Sequence, residues 1–295
     1  MHYLRHYPDR VRSLILDAVV PPGRPLGPDI APAAQAALDE IFERCAASDD
    51  CAKAFPDLPE VFASLMTDLD AAAEEVEFED FNQGRMETLM LTREMLAVTL
   101  RLLSYSAETA ALIPALVHEA GRDGNFSSLA RQVLLQTRAL DESIATGMHH
   151  AVVCTEDIPF LDDAESSRNP PHGSPQGYLG ETLLSGMRAA CDPWPEGFVD
   201  ENLHAPLVSS VPTLILSGSA DPITPPEFGE MLIDGFDNAR HIVNDGQGHM
   251  QAMLGCLPSV MAQFVINASS EALDLDCLER ITPPPFFVDA NGPLP

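Results

Sequence analysis

The stretch "VPTLILSGSADPITPP" constrains this chain more than any other. Thr213 to Leu216 is a short apolar run, opened by Pro212 and closed by Ser217-Gly218. A strand with one wet face alternates polar and apolar residues. This run does not alternate, so it reads as a strand buried on both faces, which is the habit of parallel sheets covered by helices. The residues that follow fit that frame. "PEFGEMLIDGF" reads as a helix, "ARHIVND" as a second short strand, "GQGHM" as a glycine-rich turn and "MQAMLGCLPSVMAQFVINA" as a last long helix. Strand, helix, strand, helix implies parallel pairing through right-handed crossovers.

The beginning of the chain adds a third strand. Tyr3 to Tyr7 reads as the last turn of a helix stopped by Pro8, and Val11 to Val20 as a buried strand stopped by Pro21-Pro22-Gly23. Between this strand and Thr213 the pattern is mostly helical. "AAQAALDEIFERCAA" repeats apolar residues at three and four spacings, and "PDLPEVFASLMTDLDAAAEEV" continues after a Pro-marked start. "FEDFNQGRMETLML" alternates around Gln83-Gly84, a weak hairpin signal, and Thr92 is placed to N-cap "REMLAVTLRLLSY". The expected fold class is therefore α/β: about three parallel strands with flanking helices, and a large helical block inserted between the first strand and the second.

Composition narrows the partners. The chain carries 45 acidic against 16 basic residues, for a net charge of −29. A phosphate backbone or an anionic membrane would be repelled, so neither nucleic acid nor membrane is an expected partner. No run of roughly 18 apolar residues suggests a membrane-spanning helix, and no signal-peptide pattern is visible at the start. Six cysteines lie in loop-like contexts, with no C-x-x-C and no zinc-finger spacing. Sequence alone cannot choose among their pairings. Nearest-neighbour pairing, Cys45–Cys51, Cys154–Cys191 and Cys256–Cys277, is the expectation and implies an oxidising compartment; six buried free thiols in a reducing one is the alternative. No metal and no organic cofactor is expected: His149-His150 is a pair without partner ligands, and the glycines match no dinucleotide or phosphate loop.

Two residues stand where a parallel sheet places chemistry. Asp221 lies just past the carboxyl end of one buried strand and His249 just past the next, and ligand sites of open parallel sheets lie at that end. An aspartate there can accept a hydrogen bond from a histidine ring, fix its tautomer and stabilise the imidazolium formed during proton transfer. Glycines on either side of Gln247 let the loop bend to present His249, which the following helix would anchor. The nucleophile that should precede this pair, on the G-x-S-x-G elbow, occurs nowhere in the 295 residues. Ser174 in "GSPQG" has the wrong spacing.

The chain resembles the carboxyl-terminal two-thirds or so of secreted α/β-hydrolases of the tripeptidyl aminopeptidase and proline iminopeptidase type. The matching pieces are "YLRHYPDRVRSLILDAVVPP", "CAASDDCAKAFPDL", "AVVCTEDIPF", "CDPWP", "PTLILSGSADPITPP", "GQGHM" and "LDCLERITPPPF", in family order. The resemblance implies that Asp221 is a triad acid and His249 its base, and it supports the three cysteine pairs. It marks Glu156 in "CTED" as a carboxylate that could hold a substrate's α-amino group, with a solvated acidic loop as the alternative; Asp157 reads as a structural turn or cap group. Trp194 would pack on the neighbouring disulfide or wall the pocket. In that family the first piece follows the elbow directly, so the elbow and the oxyanion loop are expected to lie outside this chain.

The expected organisation is then a hydrolase-core fragment at 1–29, a helical cap at 30–205 and the carboxyl-terminal part of the core at 206–295. The expected function is an exported, secreted or periplasmic serine hydrolase that acts as an aminopeptidase on small peptides, with this chain inactive alone. The alternatives are an esterase or amidase of the same fold, or a non-catalytic truncated or binding protein. Self-association through the open edge of the first strand is also expected.

Overall fold

The computed structural model describes residues 1–161, 177–271, 273–289 and 291–293. Along the chain run helix α1 (His2–His6), strand β1 (Leu14–Asp17), helices α2 (Ile30–Ala47), α3 (Asp49–Ala54) and α4 (Leu58–Ala71), strands β2 (Glu74–Asp80) and β3 (Arg85–Leu91), helices α5 (Arg93–Leu103), α6 (Ala107–Ala110), α7 (Ile113–Asp123), α8 (Ser127–Ser143), α9 (Thr146–Glu156) and α10 (Thr182–Cys191), strand β4 (Thr213–Gly218), helix α11 (Pro226–Ile233), strand β5 (Ala239–Asn244) and helix α12 (Leu257–Asn267). Residue contacts divide the chain into two compact units, Met1–Ala37 with Gly147–Pro283, and Leu38–Thr146 with Pro284–Pro295. The described residues 147–161 and 177–205, which the sequence reading grouped with the cap, fall in the same unit as the sheet.

The first unit is built on a parallel sheet of order β1-β4-β5. Every residue of β4 is buried. Its side chains alternate between two cores, as strand geometry requires. Leu214 and Leu216 pack with Ile242 and with Leu257, Val260 and Phe264 of α12. Ile215 points the other way, into a cluster with Leu4, Val19, Leu207, Leu232 and Phe236. Helix α11 reaches the sheet closely because Gly229 has no side chain: a Cβ there would lie 2.6 Å from the His241 ring and 3.0 Å from Ile215. Burial lowers the pKa of His241, whose Nε2 lies 2.9 Å from Ser217 Oγ. Arg12, just before β1, donates to the carbonyls of Val265 and Ile266 at 2.9 and 2.8 Å and so caps the end of α12.

Two boundaries differ from the sequence reading. The first strand covers Leu14–Asp17 rather than Val11–Val20. A short 3-10 turn at Pro8–Arg10 precedes it, and Ala18 takes a left-handed backbone (φ 55°) that ends the ladder. The last helix starts at Leu257 rather than near Met250. Met250 and Gly255 both have positive φ (65° and 44°), and Pro258 sets the first turn of the helix.

In the second unit β2 and β3 form an antiparallel hairpin. Its turn is closed by Gly84 in the left-handed region, whose N–H donates to the Asp80 carbonyl at 2.7 Å. Val76, Phe78 and Asp80 face inward, and Arg138 of α8 meets the Asp80 carboxylate at 2.9 Å. Thr92 caps α5 by accepting from Met95 N at 3.3 Å. Helix α7 approaches α4 at Gly121, where a Cβ would lie 2.6 Å from Val61.

Phe264 is fully buried between α12 and β4. Replacing it with alanine removes a ring the sheet cannot collapse around, and is expected to cost about 3–5 kcal/mol. Denaturant unfolding should show a lower midpoint at an unchanged slope.

Candidate active site

The site is built by the two loops that leave β4 and β5. After β4 the chain turns at Ser219-Ala220 and presents Asp221, whose side chain is fully buried. Its Oδ1 accepts from the backbone N–H of Ile223 and of Thr224, both at 2.9 Å. Its Oδ2 accepts from Thr224 Oγ1 at 2.8 Å and lies 2.9 Å from His249 Nδ1. Four donors thus converge on one carboxylate, which meets the acceptor demand of a group removed from water. His249 is one-fifth exposed at its side chain. With Nδ1–H donating to Asp221, the basic lone pair of the neutral ring is on Nε2.

The loop after β5 is tied to its neighbour at several points. Ser219 N donates to Asn244 O at 3.0 Å, Ala220 N to Gln247 O at 2.9 Å, and Gly246 N to Ser219 Oγ at 2.7 Å. Gly218 makes this closeness possible. A Cβ there would stand 2.1 Å from the Gly248 carbonyl oxygen and 2.3 Å from that of Gln247. Of the two glycines flanking Gln247, Gly246 takes the left-handed turn (φ 64°). Gly248 instead offers its carbonyl to Gln251 Nε2 at 2.7 Å, while Gln251 Oε1 accepts from Asn244 Nδ2 at 3.0 Å. Asn244, Gln247 and Gln251 are all buried.

The anchor of His249 also differs from the sequence reading. It is Asp17, at the carboxyl end of β1, rather than the long helix. Asp17 Oδ1 accepts from Gln251 N at 2.7 Å and Oδ2 from Ala252 N at 2.8 Å. Asp17 and Thr224 were both missed from sequence. The Asp-x-x-Thr spacing of "DPIT" is a local signal for Thr224, since such side chains satisfy a turn's own N–H groups. Asp17 has no local signal. It ends β1, which pairs directly with β4, and its partners come from a loop more than two hundred residues away.

The other expected residues fall as follows. Glu156 is the last residue of α9 and is half-buried. Asp157 is structural in its contacts: Oδ1 accepts from Leu26 N at 2.8 Å. Burial pushes the Asp157 carboxyl up, against the pull of that N–H. Trp194 sets its ring edge-on to His150 at 5.3 Å, and its backbone N–H donates to the carbonyl of Cys191. Disulfides join Cys45 to Cys51, Cys154 to Cys191 and Cys256 to Cys277. They are consistent with an extracellular protein. Among the described residues no helix is long and apolar enough to cross a membrane. Ser174 lies outside the described residues.

No curated protein matches this chain. A family model described as TAP-like protein matches residues 176–277. That span holds β4, β5, Asp221, His249 and three of the six cysteines. Over residues 176–277 the chain is therefore similar to TAP-like α/β-hydrolases.

Proposed function

We propose that Asp221 and His249 are the acid and base of a serine-hydrolase triad, and that this chain supplies them to an exported hydrolase that releases short peptides or single residues from the amino ends of peptides. The observation that carries this reading is the 2.9 Å approach of Asp221 Oδ2 to His249 Nδ1 at the carboxyl ends of two adjacent parallel strands. The nucleophile is a serine outside these 295 residues, because no G-x-S-x-G elbow occurs within them.

The chemistry follows from the geometry. His249 Nε2 takes the proton from the serine hydroxyl as its oxygen bonds to the substrate carbonyl carbon. It then returns that proton to the leaving amine as the C–N bond breaks. A water repeats the sequence and frees the acyl group. Asp221 stays on Nδ1–H throughout, orienting the ring and stabilising the imidazolium. Glu156 is the ammonium anchor of this reading, since a carboxylate in a partly dry pocket holds a free α-amino group well. An open edge on β1 would pair with further chain, and with a second copy when the chain is alone.

The 295-residue chain should show no turnover of aminoacyl or tripeptidyl amides, because acid and base without a nucleophile serve nothing. Turnover by this chain alone would overturn the placement of the serine. In a protein that joins this chain to an elbow-bearing amino-terminal half, His249→Ala should lower kcat by about 10⁴-fold or more. A preference for esters over peptide amides in that protein would redirect the substrate assignment while leaving the triad intact.

Asp17 touches no substrate in this scheme and acts through the His249 loop. Asp17→Asn replaces one acceptor oxygen with a donor facing a backbone N–H. It should cost about 1–3 kcal/mol, speed amide exchange at Gln251 and Ala252, and lower kcat with KM little changed.

A further inference from the structure

Away from Asp221 and His249, the first unit brings together three groups that no sequence motif joins. His2 and His6 stand four residues apart on α1 and share a face. Both direct Nε2 at one oxygen of Asp200: His6 Nε2 lies 3.1 Å and His2 Nε2 3.9 Å from Asp200 Oδ2. The three donor atoms all fall within 4.8 Å of one another. The other carboxylate oxygen is already committed, since Oδ1 accepts from Asn202 N at 2.8 Å. That bond leads the forces holding the Asp200 carboxyl below its usual range, with the two histidines adding to it.

We propose that His2, His6 and Asp200 form a binding site for an imidazole-favouring divalent cation, zinc above all. In a tetrahedral zinc site, metal–donor distances near 2.0–2.2 Å set neighbouring donors about 3.3 Å apart. The two measured separations, 3.1 and 3.9 Å, bracket that spacing. Modest rotation of rings that are 42% and 40% exposed closes the difference. Two neutral imidazoles and one carboxylate leave a fourth position for water or another ligand. A cation there would accept a lone pair from each of the three groups at once.

The surrounding contacts hold the donors in place before any cation arrives. Leu4, between the histidines in sequence, is buried beside Leu207. Arg5 donates to the carbonyls of Ala205 and Pro206. Helix α1 is thereby fixed to the segment that carries Asp200, and the Asn202 N–H orients the carboxylate as outer partners of metal ligands do. A bound cation would staple that helix to the approach of β4. The donor set favours zinc, cobalt, nickel or copper over calcium or magnesium, which take oxygen ligands.

The test is calorimetric titration of the chelator-treated 295-residue chain with zinc chloride, and with calcium chloride in parallel. One zinc per chain is expected, with no calcium heat. His6→Ala and Asp200→Asn should each weaken zinc binding by at least about tenfold, while a His149→Ala/His150→Ala variant binds as the parent does. Far-UV circular dichroism checks that the variants are folded. Histidine side-chain ¹⁵N spectra of the unsubstituted chain give a readout free of any variant: zinc should shift the His2 and His6 resonances. No stoichiometric binding, binding that survives His6→Ala, or shifts confined to other histidines would overturn the site. None of these outcomes bears on the Asp221–His249 pair.

Discussion

The structure of the first unit depends on one strand being buried on both faces. β4 has no wet side, so Leu214 and Leu216 must be covered by α12 while Ile215 is covered from the opposite direction. That demand leaves its pairing partners little choice. Both edges of β4 are occupied by parallel strands, and parallel neighbours send their following loops out at the same end. Gly218 sharpens the consequence. Because it carries no side chain, the carbonyls of Gln247 and Gly248 can pass close to the end of β4. The meeting of Asp221 with His249 is thus a product of sheet packing, delivered at the last residue of a strand whose other side chains are spent on the core.

Two aspartates at the same end of the sheet do different work with the same chemistry. Asp17 spreads its two oxygens over two backbone N–H groups and fixes a loop. Asp221 gives one oxygen to the N–H groups of its own turn and turns the other toward an imidazole and a hydroxyl. Each satisfies donors that strand ends leave unpaired. The difference lies in which donor the fold supplies, a peptide N–H in one case and a ring that can exchange its proton in the other.

What the sequence made legible divides along physical lines. The double-sided burial of β4 is written in three consecutive apolar residues, Leu214 to Leu216, and the next strand and helix follow from their own periods. Asp221 and His249 could be read because each sits a few residues past a strand that is itself recognisable. Asp17 could not, because its partners are set by tertiary pairing and nothing near it in sequence announces them. The limits of β1 and α12 were misplaced for a related reason. Apolar content continues past Asp17 and begins before Leu257, but Ala18, Met250 and Gly255 adopt left-handed backbone that hydrophobic pattern does not encode. The convergence of His2, His6 and Asp200 was equally hidden, since its third donor arrives from far along the chain.

The groups that orient the imidazole all belong to the first unit: Asp17, Asp221, Thr224, Asn244 and Gln251. Several are buried, and each is held by partners of its own. An imidazole fixed in this way carries its ordering cost in the folding of the unit, before substrate or nucleophile is engaged. A freely rotating ring would have to be ordered in every catalytic cycle. In the proposed enzyme the serine therefore meets a base that already points in one direction in one tautomer. What remains for the rest of the protein is to bring a hydroxyl within reach of Nε2 and to place donors around the developing oxyanion. Those are tasks of position, and they can be met by an element that makes no contribution to the ordering of His249.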